Sequence, residues 1–256
     1  MTLTDTHTHL DFPDFDDDRD AVIRRAQESG VQLMINIGID LTTSRKAIDI
    51  ANTYPSIYAT IGFHPHNAKD ATPKAISELE TLADNPKVAA VGEVGLDYYR
   101  DKSPRSIQQD VFRRMIALAK QLDLPLVIHT RHAHEDTLAI LDQEGIPDRG
   151  GVFHCFSGDY KFAKALLERG FHISFTGNIT YKNSPLPQIA KIIPLERTLI
   201  ETDCPFLAPI PHRGKRCEPF MVKVVAHLLA ASHNTSADHV GEITTQAAQK
   251  LFNIPT

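Results

Sequence analysis

A chain of 256 residues can bury a full core in one domain, and an α/β barrel is routinely this size. No apolar run approaches the roughly 18 residues that a membrane span requires. Three scattered cysteines, Cys155, Cys204 and Cys217, form neither a disulfide framework nor a CxxC zinc clip. A formal net charge of −5 argues against a generic nucleic-acid coat protein, yet it leaves room for a nuclease that holds phosphate with metal and a local basic patch.

The first residues lack the basic and apolar regions of a signal peptide, so a cytoplasmic location is expected. From there, short runs rich in Val, Ile or Phe alternate with longer amphipathic ones. In chain order the pattern predicts strand 4–10 and helix 18–29, strand 31–37 and helix 43–53, then strand 57–63 and helix 74–84. It continues with strand 88–94 and helix 106–122, strand 124–129 and helix 133–144, and strand 151–156 and helix 160–169. Strand 171–176 and helix 186–192 follow, then strand 197–203 and helices 219–232 and 237–252. Gly30, Gly145 and Gly170 stand where helices should stop. Eight strand–helix pairs are the arithmetic of a (β/α)8 TIM barrel, expected to form one domain over residues 1–256. A doubly wound sheet is disfavoured because no G-x-G-x-x-G follows the first strand.

Metal-binding residue types recur at the ends of these strands. His7 and His9 fall in the first strand, His64 just after the third, Glu93 at the end of the fourth, His129 at the end of the fifth, His154 late in the sixth, and Asp203 at the end of the eighth. In a TIM barrel the C-terminal ends of the strands form the active-site rim, so the shared register is informative where no single residue is. Side chains at i and i+2 of a strand project together, which lets His7 and His9 grip one ion. A carboxylate closing an apolar strand, as Glu93 does, needs a cation or an arginine partner. Asp5 and Asp11 read as solvated or capping residues. Asp97 reads as a loop residue in preference to a partner of a ligand, and Glu201 as a deeper carboxylate. Cys155 and Cys204 neighbour His154 and Asp203 and are read as core residues turned the other way. Imidazoles with carboxylates and no thiol suit zinc, manganese or a similar divalent ion. With His64 set aside, the six remaining donors exceed the three a single catalytic ion uses, which points to two ions with Glu93 between them.

These residues lie in a series of motifs: Asp5-Thr6-His7-Thr8-His9-Leu10-Asp11, Gly62-Phe63-His64-Pro65-His66, Gly92-Glu93-Val94-Gly95-Leu96-Asp97-Tyr98-Tyr99, Ile128-His129-Thr130-Arg131, His154-Cys155-Phe156-Ser157-Gly158, Glu201-Thr202-Asp203-Cys204-Pro205-Phe206-Leu207, and Pro211-His212-Arg213-Gly214-Lys215-Arg216. With them the chain resembles the TatD-type metal-dependent deoxyribonucleases of the amidohydrolase superfamily, from Asp5 to its end. The resemblance implies a distorted TIM barrel and a phosphodiesterase acting on DNA, single-stranded or at duplex ends, often as an exonuclease. It implies that His7, His9 and Asp203 hold one ion of Mg, Mn or Zn and that His129 and His154 hold the other, with Glu93 shared. His64 is expected to contact phosphate or shape the site. His132, where an acidic residue is common, and Cys217 depart from the family pattern.

On this reading a metal-bound water loses its proton to Asp203, and the resulting hydroxide attacks phosphorus in line. Arg131, Arg213 and Lys215 are candidate phosphate contacts, and Tyr98 or Tyr99 a base-stacking surface. The chain is expected to be a monomer or weak oligomer without a membrane partner. Two alternatives stand beside this reading. One is a superfamily hydrolase of a small ester, lactone, amide or phosphoester, disfavoured because many of those bridge their metals with a lysine where Glu93 stands. The other is a non-catalytic metal-containing binding or scaffold protein, disfavoured by the complete ligand set.

Overall fold

In the computed structural model, which describes residues 1–255, strands and helices alternate along the chain. They are β1 (Leu3–Thr8), α1 (Arg19–Glu28), β2 (Val31–Asn36), α2 (Leu41–Thr53), β3 (Ile57–Ile61), α3 (Pro73–Leu82), β4 (Val88–Asp97), α4 (Arg105–Gln121), β5 (Leu126–Arg131) and α5 (His134–Glu144). There follow β6 (Gly151–Phe153), α6 (Tyr160–Glu168), β7 (His172–Phe175), α7 (Leu186–Ala190), β8 (Thr198–Ile200), α8 (Val222–His233) and α9 (Ala237–Phe252). The strands form one sheet in the order β1 to β8, the (β/α)8 TIM-barrel arrangement that the sequence predicts. Three helix starts carry clear sequence signals. Asp40 caps α2 in a capping box, Thr72 and Pro73 open α3, and Asp159 caps α6. Gly30, Gly145 and Gly170 take positive φ at the ends of α1, α5 and α6.

The chain divides into two compact units, each with its own share of the strands. The first holds residues Met1–Asn36 and Cys155–Lys250. In it β1 pairs in parallel with β2 through Leu3–Val31, Thr4–Leu33, Asp5–Met34 and Thr8–Asn36, and β7 pairs with β8 through Ile173–Thr198 and Phe175–Ile200. Every residue of β1 is buried, polar ones included. Its threonines are tolerated there because each hydroxyl donates a hydrogen bond: Thr4 to Thr245 Oγ1 (3.1 Å), Thr6 to the Ile200 carbonyl (3.1 Å) and Thr8 to the Ile35 carbonyl (3.0 Å). The core of this unit includes Leu3, Leu10, Phe15, Val22, Met34, Ile35, Phe171 and Phe175, all fully buried.

The second unit, Ile37–His154 with Leu251–Asn253, carries β3 to β6. Its longest strand, β4, runs to Asp97, three residues beyond the predicted end, because Val94, Gly95, Leu96 and Asp97 continue the ladder opposite Ile128, His129, Thr130 and Arg131. Gly95 makes that extension possible. Its φ is +133°, and a Cβ there would lie 2.0 Å from the His129 carbonyl oxygen. The register slips between Gly92 and Val94, at Glu93. β5 likewise runs to Arg131, two residues past its predicted end, while the other strands end earlier than predicted, so His9, His154 and Asp203 stand on the loops just past β1, β6 and β8; His64 lies past β3, where the sequence places it. His129 lies inside β5 and Glu93 inside β4.

Candidate metal centres

In the first unit, His7 and His9 reach Asp203. The Nε2 atoms of His7 and His9 lie 3.7 and 3.4 Å from Asp203 Oδ1, and one donor from each of the three falls within 4.8 Å of the others. Strand parity sets His7, and the backbone of the chain past β8 sets the rest. His9 N donates to the Cys204 carbonyl and Asp203 N to the His7 carbonyl, each at 2.9 Å, with Asp203 at a φ of +57°. Asp5 secures this junction. Its carboxylate accepts from Thr202 N (2.9 Å), Thr202 Oγ1 (2.6 Å) and His7 N (3.3 Å). Burial pushes its carboxyl well above the usual range, against the lowering effect of the Thr202 and His7 bonds. Asp5 and Asp11 are therefore not solvated as the sequence suggests: both are buried, and Asp11 accepts from Asn36 Nδ2 at 3.0 Å. For Asp5 the signal was its place inside the strand, where a polar side chain has nowhere to find water; Asp11 lies past the end of β1 and carried no such signal.

In the second unit, three imidazoles converge on the buried Glu93. His154 Nε2, His129 Nδ1 and His64 Nε2 lie 2.8, 2.9 and 3.3 Å from Glu93 Oε1. Burial alone would raise this carboxyl, but the imidazoles of His154, His64 and His129 outweigh it and hold Glu93 well below the usual range. Burial pushes the His64 imidazole down to about 4, against the pull of Glu93, and its Nδ1 accepts from His66 N at 3.0 Å. Asp97 is not a loop residue. It ends β4, is buried, and puts Oδ2 2.9 Å from His66 Nε2 and 3.3 Å from His129 Nε2. Burial opposes its ionisation, yet the bonds from His129, His66 and the Arg100 N–H keep it well below the usual value. A carboxylate behind an imidazole fixes ring orientation and raises ligand basicity. Gln108 in turn clamps Asp97, accepting from its N–H at 2.8 Å and donating to its carbonyl at 3.2 Å. His66 and Gln108 were assigned no role from sequence; the second histidine of His64-Pro65-His66 was the signal for the first, and nothing marked the second.

Both groups consist of nitrogen and oxygen donors, largely buried and close enough to share one ion each. That is the donor chemistry of zinc or manganese, and the residues fit a divalent metal. A family model, that of the TatD-related DNases, matches residues 4–253. The chain belongs to that family.

Relatives match this TatD-family chain over nearly its whole length. It is 44% identical to the uncharacterized metal-dependent hydrolase YabD of Bacillus subtilis, covering 98% of this chain and 99% of YabD. It is 33% identical to the 3'-5' ssDNA/RNA exonuclease TatD of Erwinia tasmaniensis, covering 98% and 100%. Among solved structures, YjjV, a TatD homolog from Escherichia coli K12, superposes with a TM-score of 0.94 at 30% identity, covering 99% and 98%. The chain is accordingly a metal-dependent hydrolase of the TatD family. No helix among the described residues is long and apolar enough to cross a membrane.

The remaining predicted residues of the TatD-family chain differ in availability. Arg131, Arg213 and Lys215 are exposed. Arg131 lies over the Tyr99 ring at 4.0 Å and Arg213 over the Tyr181 ring at 3.9 Å. Arg216, in the same basic run, is held by Asp18 (2.7 Å) and Glu218 (3.0 Å) and so braces the loop. Tyr98 is tied down, its hydroxyl donating to Asp136 Oδ2 at 2.7 Å and its ring covered by Arg105, whereas Tyr99 is 52% exposed with His132 at its edge. Cys204 is buried, as expected of a core residue. Cys155 is only half-buried, because β6 ends at Phe153 and strand alternation no longer applies to it. Glu201 accepts from Cys155 N at 2.6 Å and anchors that turn.

Proposed function

We propose that the chain hydrolyses phosphodiester bonds in DNA, single-stranded or at duplex ends, as an exonuclease that uses two divalent ions. The observation that carries this reading is the presence of two separate groups of imidazole and carboxylate donors, His7–His9–Asp203 and Glu93 with His64, His129 and His154. The Erwinia relative's name supplies the substrate class and leaves RNA as a further substrate. The family resemblance adds Glu93 as the residue shared between the ions, and residues 1–256 as one hydrolase domain.

When bound, such ions supply Lewis acidity to phosphate oxygens and acidify water. The protein's own groups do the rest. Asp203, held by the His7 carbonyl at its N–H, accepts the proton of the attacking water on a carboxylate oxygen. His64 contacts the phosphate from the Glu93 side, with its ring fixed by the His66 N–H at Nδ1. Arg131, Arg213 and Lys215 draw the phosphate backbone in, the two arginines as flat forks already laid on tyrosine rings.

The test is to incubate protein loaded with Mg²⁺, Mn²⁺ or Zn²⁺ with end-labelled single- and double-stranded DNA, RNA, and a panel of small esters and amides. Stepwise shortening of DNA by the wild type and its loss in Glu93→Ala support the reading. Turnover of esters without any DNA cleavage refutes it.

A further inference from the structure

Among the exposed aromatic side chains of the first unit, Phe206 is the one beside the donor group His7–His9–Asp203. Phe206 follows Asp203 by three residues, and its N–H donates to the Asp203 carbonyl at 2.9 Å, so its place is set by a candidate ligand's own backbone. Its ring is 51% exposed. It stands edge-on to Phe12 (6.1 Å, 77°) and to His9 (6.4 Å, 66°), while Phe12 stacks flat on His9 (4.6 Å, 25°). Phe12 thus braces Phe206 from one side and a candidate metal ligand from the other. Leaving a large apolar ring in water beside a charged site has a cost that a ligand with a flat face would remove.

The same loop carries the exposed cations Arg213 and Lys215. A flat face, a nearby cation for phosphate and a hydrolytic centre one ring away together describe a nucleotide. Its base lies one sugar from its phosphate. An aromatic side chain stacks any base, without sequence preference. We propose that Phe206, braced by Phe12, is the stacking platform for the terminal nucleobase next to the hydrolysed phosphodiester. This assignment rests on the phosphodiesterase reading and makes the site selective for strand ends through an unstacked base face.

The experiment uses the full-length, metal-loaded protein and oligonucleotides carrying 2-aminopurine at the 5' or the 3' terminus, with a phosphorothioate at the terminal linkage to slow cleavage. Stacking quenches 2-aminopurine fluorescence. The wild type should quench the probe at one terminus. Phe206→Leu keeps apolar bulk without a π face and should lose the quenching and bind about tenfold or more weakly; Phe206→Trp should restore both. Circular dichroism and metal content confirm that the variants are folded and loaded, and Phe206→Tyr substitutes for Phe206→Trp should the larger ring disrupt the loop. Undiminished quenching in Phe206→Leu, or none in the wild type at either end, overturns the platform. Quenching without cleavage of an unmodified oligonucleotide would refute phosphodiesterase activity and leave the platform standing. Cleavage without quenching does the reverse.

Discussion

Asp5 and Asp97 perform related tasks in the two units. Neither sits among the three-donor groups, and each holds a candidate ligand and a residue beside one: Asp5 through the His7 N–H and Thr202, Asp97 through His129 and His66. Replacing Asp97 with Asn keeps shape and removes the acceptor charge behind His129. We expect about 10- to 100-fold weaker metal binding, the usual effect of losing such a partner, read by chelator competition with the fold intact by circular dichroism. Unchanged affinity would make Asp97 merely structural. The candidate donors that the structure brings together were legible in the sequence, because a histidine or glutamate closing an apolar strand must be paired or bound to a cation to be tolerated there. Their partners were not. Asp5 meets Thr202 across 197 positions of sequence, and no local spacing announces such a pairing.

At the scale of elements, β4 in the second unit and the loop after β8 in the first each present candidate ligands. The sequence marks β4 clearly through Val88–Val91 but hides its extension, since a glycine reads as a strand breaker until its close approach to His129 is seen. Gly95→Ala forces a Cβ against that carbonyl at positive φ. The expected cost is on the order of 2–4 kcal/mol, measured as a lowered denaturant midpoint; a midpoint equal to that of wild type would show that the strand adjusts freely. The loop after β8 is braced by Arg216 against Asp18 and Glu218. The Arg216 hydrogen bonds hold the Asp18 carboxyl below its ordinary value. A depressed folded-state value contributes stability above the unfolded value, about 4 for aspartate, and loses it as the pH falls further. Asp18→Asn should therefore be slightly less stable than wild type at pH 7, with the difference closing below about pH 4. A difference that persists at pH 2.5 would assign it to packing. Basic character in this loop was legible from sequence, but the division of labour was not: Arg216 is structural, and Arg213 and Lys215 face solvent. Neutralising those two should reduce the salt dependence of DNA cleavage by about 0.7 in log–log slope per lost phosphate contact. An unchanged slope would remove them from the binding surface.

For the whole molecule, strand count and order were readable because each buried strand writes an apolar run and each helix an amphipathic one, and the (β/α)8 arrangement follows from their alternation. Strand ends differ from the sequence expectation by one to three residues, β4 and β5 running on through residues that do not read as strand and the others stopping short. Divalent ions bound only by the folded chain should also stabilise it, by about 2.7 kcal/mol at a hundredfold excess over the dissociation constant. A chelator should lower the melting temperature and abolish hydrolysis together, and readdition should restore both. The most direct measurement is metal content by mass spectrometry on reconstituted wild type, His7→Ala/His9→Ala and Glu93→Ala, beside cleavage of end-labelled DNA. Expected are about two ions per wild-type chain, about one fewer in the His7/His9 double variant, depleted metal in Glu93→Ala, and no cleavage in that variant. Full metal occupancy in both variants with DNA cleavage intact would contradict a hydrolase built on these two donor groups.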